Sequence, residues 1–230
     1  MLKLENCRIM NGSYAVEADL AIAPGSCVAV IGPSGAGKST LVEAVAGFLP
    51  VSRGRISWNG ADLTSAQPGK RPVAMLFQDG NLFPHLTVAQ NVALGIQANL
   101  RLADAEWRRV DTALARVGLE GMAARKPAAL SGGQQSRVAL ARVLVQGRDI
   151  LLLDEPFAAL GPALKAEMLD LVAELARENG ATVLMVSHDP EDARRIADQV
   201  VLVADGKVHP PQQTAELLDN PPPALKAYLG

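Results

Sequence analysis

CVAVIGPSGAGKST, residues 27–40, joins an apolar run to a glycine-rich loop and then to a helix. SCVAVIG has the continuous apolar character of a strand buried on both faces of a parallel sheet. KSTLVEAVAGFL places Leu41, Val42, Val45, Ala46 and Leu49 on one helical face. Between them, Gly32 to Thr40 fits G-x-x-x-x-G-K-[ST] in its required setting, with a strand before and a helix after. Gly32, Pro33, Ser34, Gly35, Ala36 and Gly37 form the loop, and Gly35 and Gly37 let its backbone curl so that amides face phosphate oxygens. Lys38 then supplies a mobile positive charge for β- and γ-phosphates. Ser39 offers its hydroxyl to Mg²⁺, and Thr40 reaches the phosphates from the helix start. A plain glycine-rich turn is the alternative, and the flanking strand and helix argue against it.

The rest of the chain extends this unit. RISWNGADL holds Asn59-Gly60, a hairpin signal, so the N-terminal third should contain an antiparallel sheet. Ala103, Trp107, Val110, Leu114 and Val117 fall at helical spacing, with Gly118 as a stop and Trp107 in the core. DILLLD and ATVLMVSH read as further buried strands, separated by a helix marked by Leu164, Met168, Leu171, Val172 and Leu175. VVLVADGKV is a strand with an Asp205-Gly206 turn, and the proline-rich NPPPALKAYLG is expected on the surface. Strands alternating with helices imply a parallel α/β sheet, with right-handed crossovers bringing loops to one edge. A helical block over about residues 82–145 is inserted between its halves.

Composition narrows the class. With 49% hydrophobic and 20% charged residues the chain should fold. A net charge of −2 with no basic stripe gives no support for nucleic acid or an anionic lipid surface as partner. Cys7 and Cys27 sit in no paired or metal-like spacing, so both are expected reduced, Cys27 within an apolar strand. MLKLENCRIM lacks the apolar region of a signal peptide. The uncharged run Leu20 to Gly37 is broken by Pro24, Gly25 and Pro33, so it cannot span a membrane as a helix.

Three further residues gain meaning beside the Lys38 loop. Asp154, at the end of ILLLD, can hold Mg²⁺ through water, and Glu155 is a candidate general base for an attacking water. Alone, the pair would be an ordinary strand end. His188 ends another apolar strand on the same expected edge and is a candidate γ-phosphate sensor. LSGGQ, Leu130 to Gln134, opens a second helix whose N-terminal amides suit an anion, which raises the question of why one domain carries two such places.

The Lys38 loop, Gln78 in LFQ, LSGGQ, LLLDEP and the Ser187-His188 pair occur in that order over essentially the whole chain, and together they resemble the ATP-binding cassette of ABC transporters. The resemblance implies a P-loop NTPase fold: a RecA-like parallel core, an N-terminal antiparallel β subdomain and an inserted helical subdomain in a single domain, residues 1–230. It implies ATP and Mg²⁺ as ligands, with Glu155, His188 and Gln78 at the reacting phosphate and Ser39, Gln78 and Asp154 at the metal. It also implies a head-to-tail homodimer, in which Ser131, Gly132, Gly133 and Gln134 of one copy cap the nucleotide held by the other's Lys38. Membrane permease subunits are implied as partners, with a periplasmic binding protein engaged indirectly, at the cytoplasmic face of the inner membrane.

The segment DGNLFPHLTVAQNV would form part of the groove for a permease helix, although Leu82, Phe83 and Leu86 could equally be simple core. RPVAMLFQDGNLFPHLTVAQNVALG and PSGAGKSTLVEAVAGFLP resemble most the ATPases of thiamine importers, with iron, sulfate and polyamine importers as near relatives. The chain ends soon after VLVADGKV, leaving no room for the regulatory domain of many sugar importers. An exporter cassette or a soluble cassette machine acting on DNA or ribosomes are the other classes. Three positions depart from the family pattern. Gly161 stands where an aspartate usually ties the two copies, so less cooperative hydrolysis is expected. Ser136 replaces a glutamine. Near Asn11 the adenine-stacking aromatic is missing, with Tyr14 either its substitute or a strand-core residue.

Overall fold

The computed structural model describes residues 1–77, 81–223 and 225–226; Gln78 lies outside them. In chain order the strands and helices are β1 (Leu2–Asn11), β2 (Tyr14–Ile22), β3 (Cys27–Ile31), α1 (Lys38–Ala46), β4 (Val51–Trp58), β5 (Ala61–Asp62) and β6 (Val73–Leu76). Three helices follow, α2 (Val88–Ala93), α3 (Asp104–Arg116) and α4 (Gly132–Leu144). Then come β7 (Ile150–Asp154), α5 (Pro162–Asn179), β8 (Thr182–Val186), α6 (Pro190–Ile196), β9 (Gln199–Ala204), β10 (Lys207–Val208), β11 (Gln212–Gln213) and α7 (Thr214–Asp219).

The strands order as β5-β4-β1-β2-β10-β9-β3-β8-β7-β6, with β11 on β9. From β9 to β6 the neighbours run parallel, while β1, β2, β4 and β5 pair antiparallel. The short β10 stitches the two parts, parallel to β2 and antiparallel to β9. Asn59 and Gly60 both take positive φ, 48° and 84°, as a two-residue hairpin turn requires. This is the P-loop NTPase architecture expected from the sequence.

The parallel strands are apolar because both faces are covered. Ile150, Leu152 and Leu153 of β7 are fully buried, and burial of each contributes about 1.5–3 kcal/mol. Register fixes what meets at the sheet edge. Val30 pairs with Val186, and Val186 with Asp154, so the ends of β3, β8 and β7 lie in one row. The loops that follow therefore open side by side.

Between β6 and β7, α2 packs on α3 and α4, and α4 also meets β6 and α5. Val88, Val92, Val110, Leu114 and Val138 form its buried seam. Gly118 has φ 69° and follows the end of α3, as its spacing implied. Trp107 is half-buried against this core.

The proline-rich tail departs from its expected surface position at one residue: Asn220, Pro223 and Lys226 are exposed, but Leu225 is fully buried with Leu217 and Leu218 of α7 against Ala29, Ile31 and Val200, and residues 227–230 lie outside the described residues. No helix among the described residues is long and apolar enough to cross a membrane.

Candidate nucleotide site

The loop Gly32 to Gly37 leaves β3 at the sheet edge and feeds α1. Gly32 has φ 147°, and a Cβ there would lie 2.0 Å from the Val203 carbonyl oxygen, so only glycine lets the loop pass this close to β9. Gly35 and Gly37 also take positive φ. No side chain caps the start of α1, so its first amides have no side-chain acceptor. Lys38 is only 8% exposed, and its Nζ donates to the carbonyls of Gly32 and Pro33, both at 2.9 Å. Burial lowers its pKa, while the charges of Glu155 and Asp154 work in the opposite direction. An ammonium held by exchangeable carbonyls in a loop of inward-curling backbone is ready to swap them for phosphate oxygens.

The neighbouring strand ends complete the cluster. Ser39 Oγ donates to Asp154 Oδ1 at 3.2 Å. Burial raises the pKa of Asp154, the Ser39 bond opposes this, Glu155 adds to it, and Lys38 counters it. A partly buried carboxylate beside a hydroxyl is an oxygen pair suited to a hard divalent cation, so Ser39 and Asp154 fit Mg²⁺. Glu155 has φ 45°, a costly conformation outside glycine, and its amide donates to the Val186 carbonyl at 3.2 Å. The resulting turn brings Glu155 Oε2 within 3.2 Å of His188 Nδ1. Thr40 is buried and its Oγ1 accepts from Asn11 Nδ2 at 3.2 Å.

The second helix start is built differently. Ser131 caps α4 in a reciprocal capping box: Gln134 N donates to Ser131 Oγ at 3.3 Å and Ser131 N donates to Gln134 Oε1 at 3.0 Å. Gly133 is buried, and a Cβ there would lie 2.5 Å from Leu164 Cδ2, so it is a packing glycine between α4 and α5. Ser131 and Gly132 are exposed. Among the described residues, no hydrogen bond joins residues 131–134 to the loop 32–40 of the same chain. The structure thus gathers Lys38, Ser39, Asp154, Glu155 and His188 at one edge and leaves Ser131 and Gly132 on an open surface.

Tyr14 is 39% exposed, so it is not a strand-core residue, and its hydroxyl donates to the Ala36 carbonyl at 3.1 Å. Gly161 is the N-cap of α5 with no side chain to cap it, and a Cβ there would meet nothing within 4 Å. Ser136 Oγ bonds back to the Gly132 carbonyl at 3.2 Å. Leu82 is half-buried against the helical core, whereas Phe83 is exposed.

Sequence reasoning missed two supporting networks. Asn91 is fully buried and donates to the Phe83, Leu86 and Thr87 carbonyls, while Arg142 of α4 donates to Asn91 Oδ1 and to the Asn91 and Asn81 carbonyls. The signals were a polar Asn91 on the buried stripe of α2 and a charged Arg142 between Ala141 and Val143. The second network joins Lys165 to Asp189 and Asp192.

Residues 16–158 match the ABC transporter family. The chain is 67% identical over its full length, and that of the relative, to the thiamine import ATP-binding protein ThiQ of Ruegeria sp. (strain TM1040). It is 60% identical, again over both full lengths, to the protein of that name from Cereibacter sphaeroides. Among solved structures it resembles cbiO1 from Clostridium perfringens, part of the ABC transporter complex cbiONQ, at 32% identity and TM-score 0.83, over 95% of this chain and 90% of that one. It also resembles the ATP-binding cassette MJ0796, solved as a dimer bound to ADP and Pi, at 30% identity and TM-score 0.78, over 93% of this chain and 99% of that one. A phosphate cradle, an acidic strand end and a capped signature helix on this fold are thus found in a chain that belongs to the ABC transporter family.

Proposed function

We propose that this chain is the ATP-hydrolysing subunit of a thiamine importer, working as a homodimer on the cytoplasmic face of the inner membrane. It would engage two permease subunits directly and a periplasmic binding protein through them. The observation that carries the reading is full-length identity of 67% to a thiamine import ATP-binding protein, in a chain whose phosphate loop, acidic strand end and histidine share one edge.

The residues divide the work. Backbone amides of residues 34–38 and the Lys38 ammonium bind the β- and γ-phosphates. Ser39 and Asp154, with Gln78, would hold Mg²⁺, which when bound supplies charge neutralisation at the phosphate oxygens. Glu155 orients the attacking water and accepts its proton. His188 hydrogen-bonds the γ-phosphate and restrains the Glu155 carboxylate at the same time. The exposed helix start at Ser131 and Gly132, with Gly133 packed behind it and Gln134 closing the cap, meets the γ-phosphate held by a second copy. That is why one domain has two anion-facing helix starts: each is half of a site. Loss of the γ-phosphate then releases the pair, a ligand-driven population shift.

Tyr14 lies beside the loop as the adenine contact. Exposed Phe48 and Phe77, their ring centroids 6.1 Å apart, and exposed Phe83 are the apolar side chains offered to a permease helix. Uptake of labelled thiamine by a strain lacking only this chain is the test. Loss of uptake, restored by the chain but not by its Lys38→Ala form, is expected; normal uptake would refute the assignment.

A further inference from the structure

We propose that Lys165 is a positioning residue for His188, acting through Asp189 and Asp192. This rests on the reading of His188 as the γ-phosphate contact.

Lys165 stands in the first turn of α5, its amide bonded to the Gly161 carbonyl at 2.9 Å. A cation there faces the positive end of the helix dipole, an unfavourable place unless something holds it. Two carboxylates do: Asp189 Oδ2 at 2.8 Å and Asp192 Oδ1 at 2.7 Å. The lysine side chain is 16% exposed and that of Asp192 10%, so this bond is shielded from water, while Asp189 stands half-exposed. Burial works against the lysine's charge, but the bonds to Asp189 and Asp192 outweigh it and raise its pKa.

The two acids grip the turn that carries His188. Asp192 Oδ2 accepts from Ser187 Oγ. Ser187 Oγ in turn accepts from the Asp189 amide at 3.0 Å. Asp189 Oδ1 caps α6 through the Glu191 amide at 3.0 Å. The Ser187 amide ties the turn to β3 at the Val30 carbonyl, 3.2 Å away. His188 is therefore fixed through its neighbours on both sides, and the result is the 3.2 Å approach of Nδ1 to Glu155 Oε2. Lys165 also lines a small cavity with Glu155, Phe157 and His188. Without the ammonium, the shielded Asp192 carboxylate and the half-exposed Asp189 carboxylate would lose the cation between them, and their repulsion would displace the turn. Of these contacts only the Ser187 bond to Val30 reaches β3, the strand that leads into the Lys38 loop, so ATP affinity should survive.

The experiment compares Lys165→Met, Lys165→Arg, His188→Ala and the Lys165→Met/His188→Ala pair, reading kcat for ATP hydrolysis and the binding of a non-hydrolysable ATP analogue. Lys165→Met should lower kcat about 10- to 100-fold, the cost of misplacing a reacting contact, with analogue affinity unchanged. Lys165→Arg should recover most of the rate. Added to His188→Ala, Lys165→Met should cost nothing more, because its effect runs through the histidine. An equal loss in both backgrounds, or a loss of affinity in place of kcat, overturns the proposal. If Lys165→Met does not fold, Asp192→Asn serves in the same cycle with the same outcomes. A fully active His188→Ala would remove the histidine's assigned role and this proposal with it. A slow His188→Ala beside a normal Lys165→Met would remove this proposal alone.

Discussion

The starts of α1 and α4 are both helix ends rich in glycine, yet they are finished in opposite ways. At α1 no side chain caps the helix, the preceding loop folds inward, and a nearly buried lysine waits on two carbonyls. At α4 Ser131 and Gln134 close a capping box, two residues stand exposed, and no lysine or arginine lies within residues 130–136. On the proposed reading the first end captures phosphate by itself, whereas the second, capped and without a lysine of its own, joins an anion that another surface already holds. A helix N-terminus is thus a donor of amides, and its surroundings decide whether it binds or merely completes.

Glu155→Gln should leave ATP binding at the α1 end intact while slowing hydrolysis about 10²–10⁴-fold; measured by single-turnover hydrolysis, a near-normal rate would move the base elsewhere. Lys38→Ala removes the charge that distinguishes α1 from α4. Charge-assisted bonds of this kind are each worth about 1.5–3 kcal/mol, so Mg-ATP affinity in a fluorescence titration should fall at least about tenfold; an unchanged Kd would contradict the cradle. Ser131→Arg should leave that Kd alone but abolish ATP-dependent dimerisation by gel filtration. Loss of its cap costs about 1 kcal/mol, so melting should drop only about 2–4 °C.

The Lys165 network gives a pH signature. Its bond to Lys165, ahead of the opposing effect of burial, holds the Asp189 carboxyl below its ordinary value of 3.8. A depressed carboxylate contributes stability above its unfolded pKa and loses it as pH falls through the folded one. Lys165→Met should therefore melt lower than the unmodified chain at pH 7, with the gap closing below pH 3.8. A gap constant across that range would show that the pair is not its source. The smallest effect belongs to Gly161→Asp. Space for a Cβ exists and aspartate is a good N-cap, so a few tenths of a kcal/mol of stabilisation are expected. The Hill coefficient for ATP should rise; if rate and Hill coefficient both stayed the same, the suggested weakening of cooperativity would be wrong.

What the sequence revealed follows from where each constraint lies. Phosphate binding needs consecutive residues in a fixed order, so the loop from Gly32 to Thr40 could be read directly. Asp154, Glu155 and His188 were legible because each ends an apolar run, and parallel strands deliver their ends to one edge. Lys165 with Asp189 and Asp192, and Arg142 with Asn91, were not. Those pairings join residues 24 to 51 positions apart, and nothing local marks them. Leu225 was hidden by composition, since prolines suggested a loop where an apolar side chain closes the core beneath α7. Tyr14 could not be placed until its hydroxyl was seen against Ala36.

Mixing Lys38→Ala chains with Ser131→Arg chains tests the divided site most directly. In a mixed dimer one pocket pairs an unaltered Lys38 loop with an unaltered Ser131 cap, and the other carries both lesions. Each variant alone should be inactive, and the mixture should recover hydrolysis from at most one pocket per dimer. Hydrolysis by Ser131→Arg chains alone at the rate of the unmodified protein would mean that the cap is not needed, and the shared pocket would have to be abandoned.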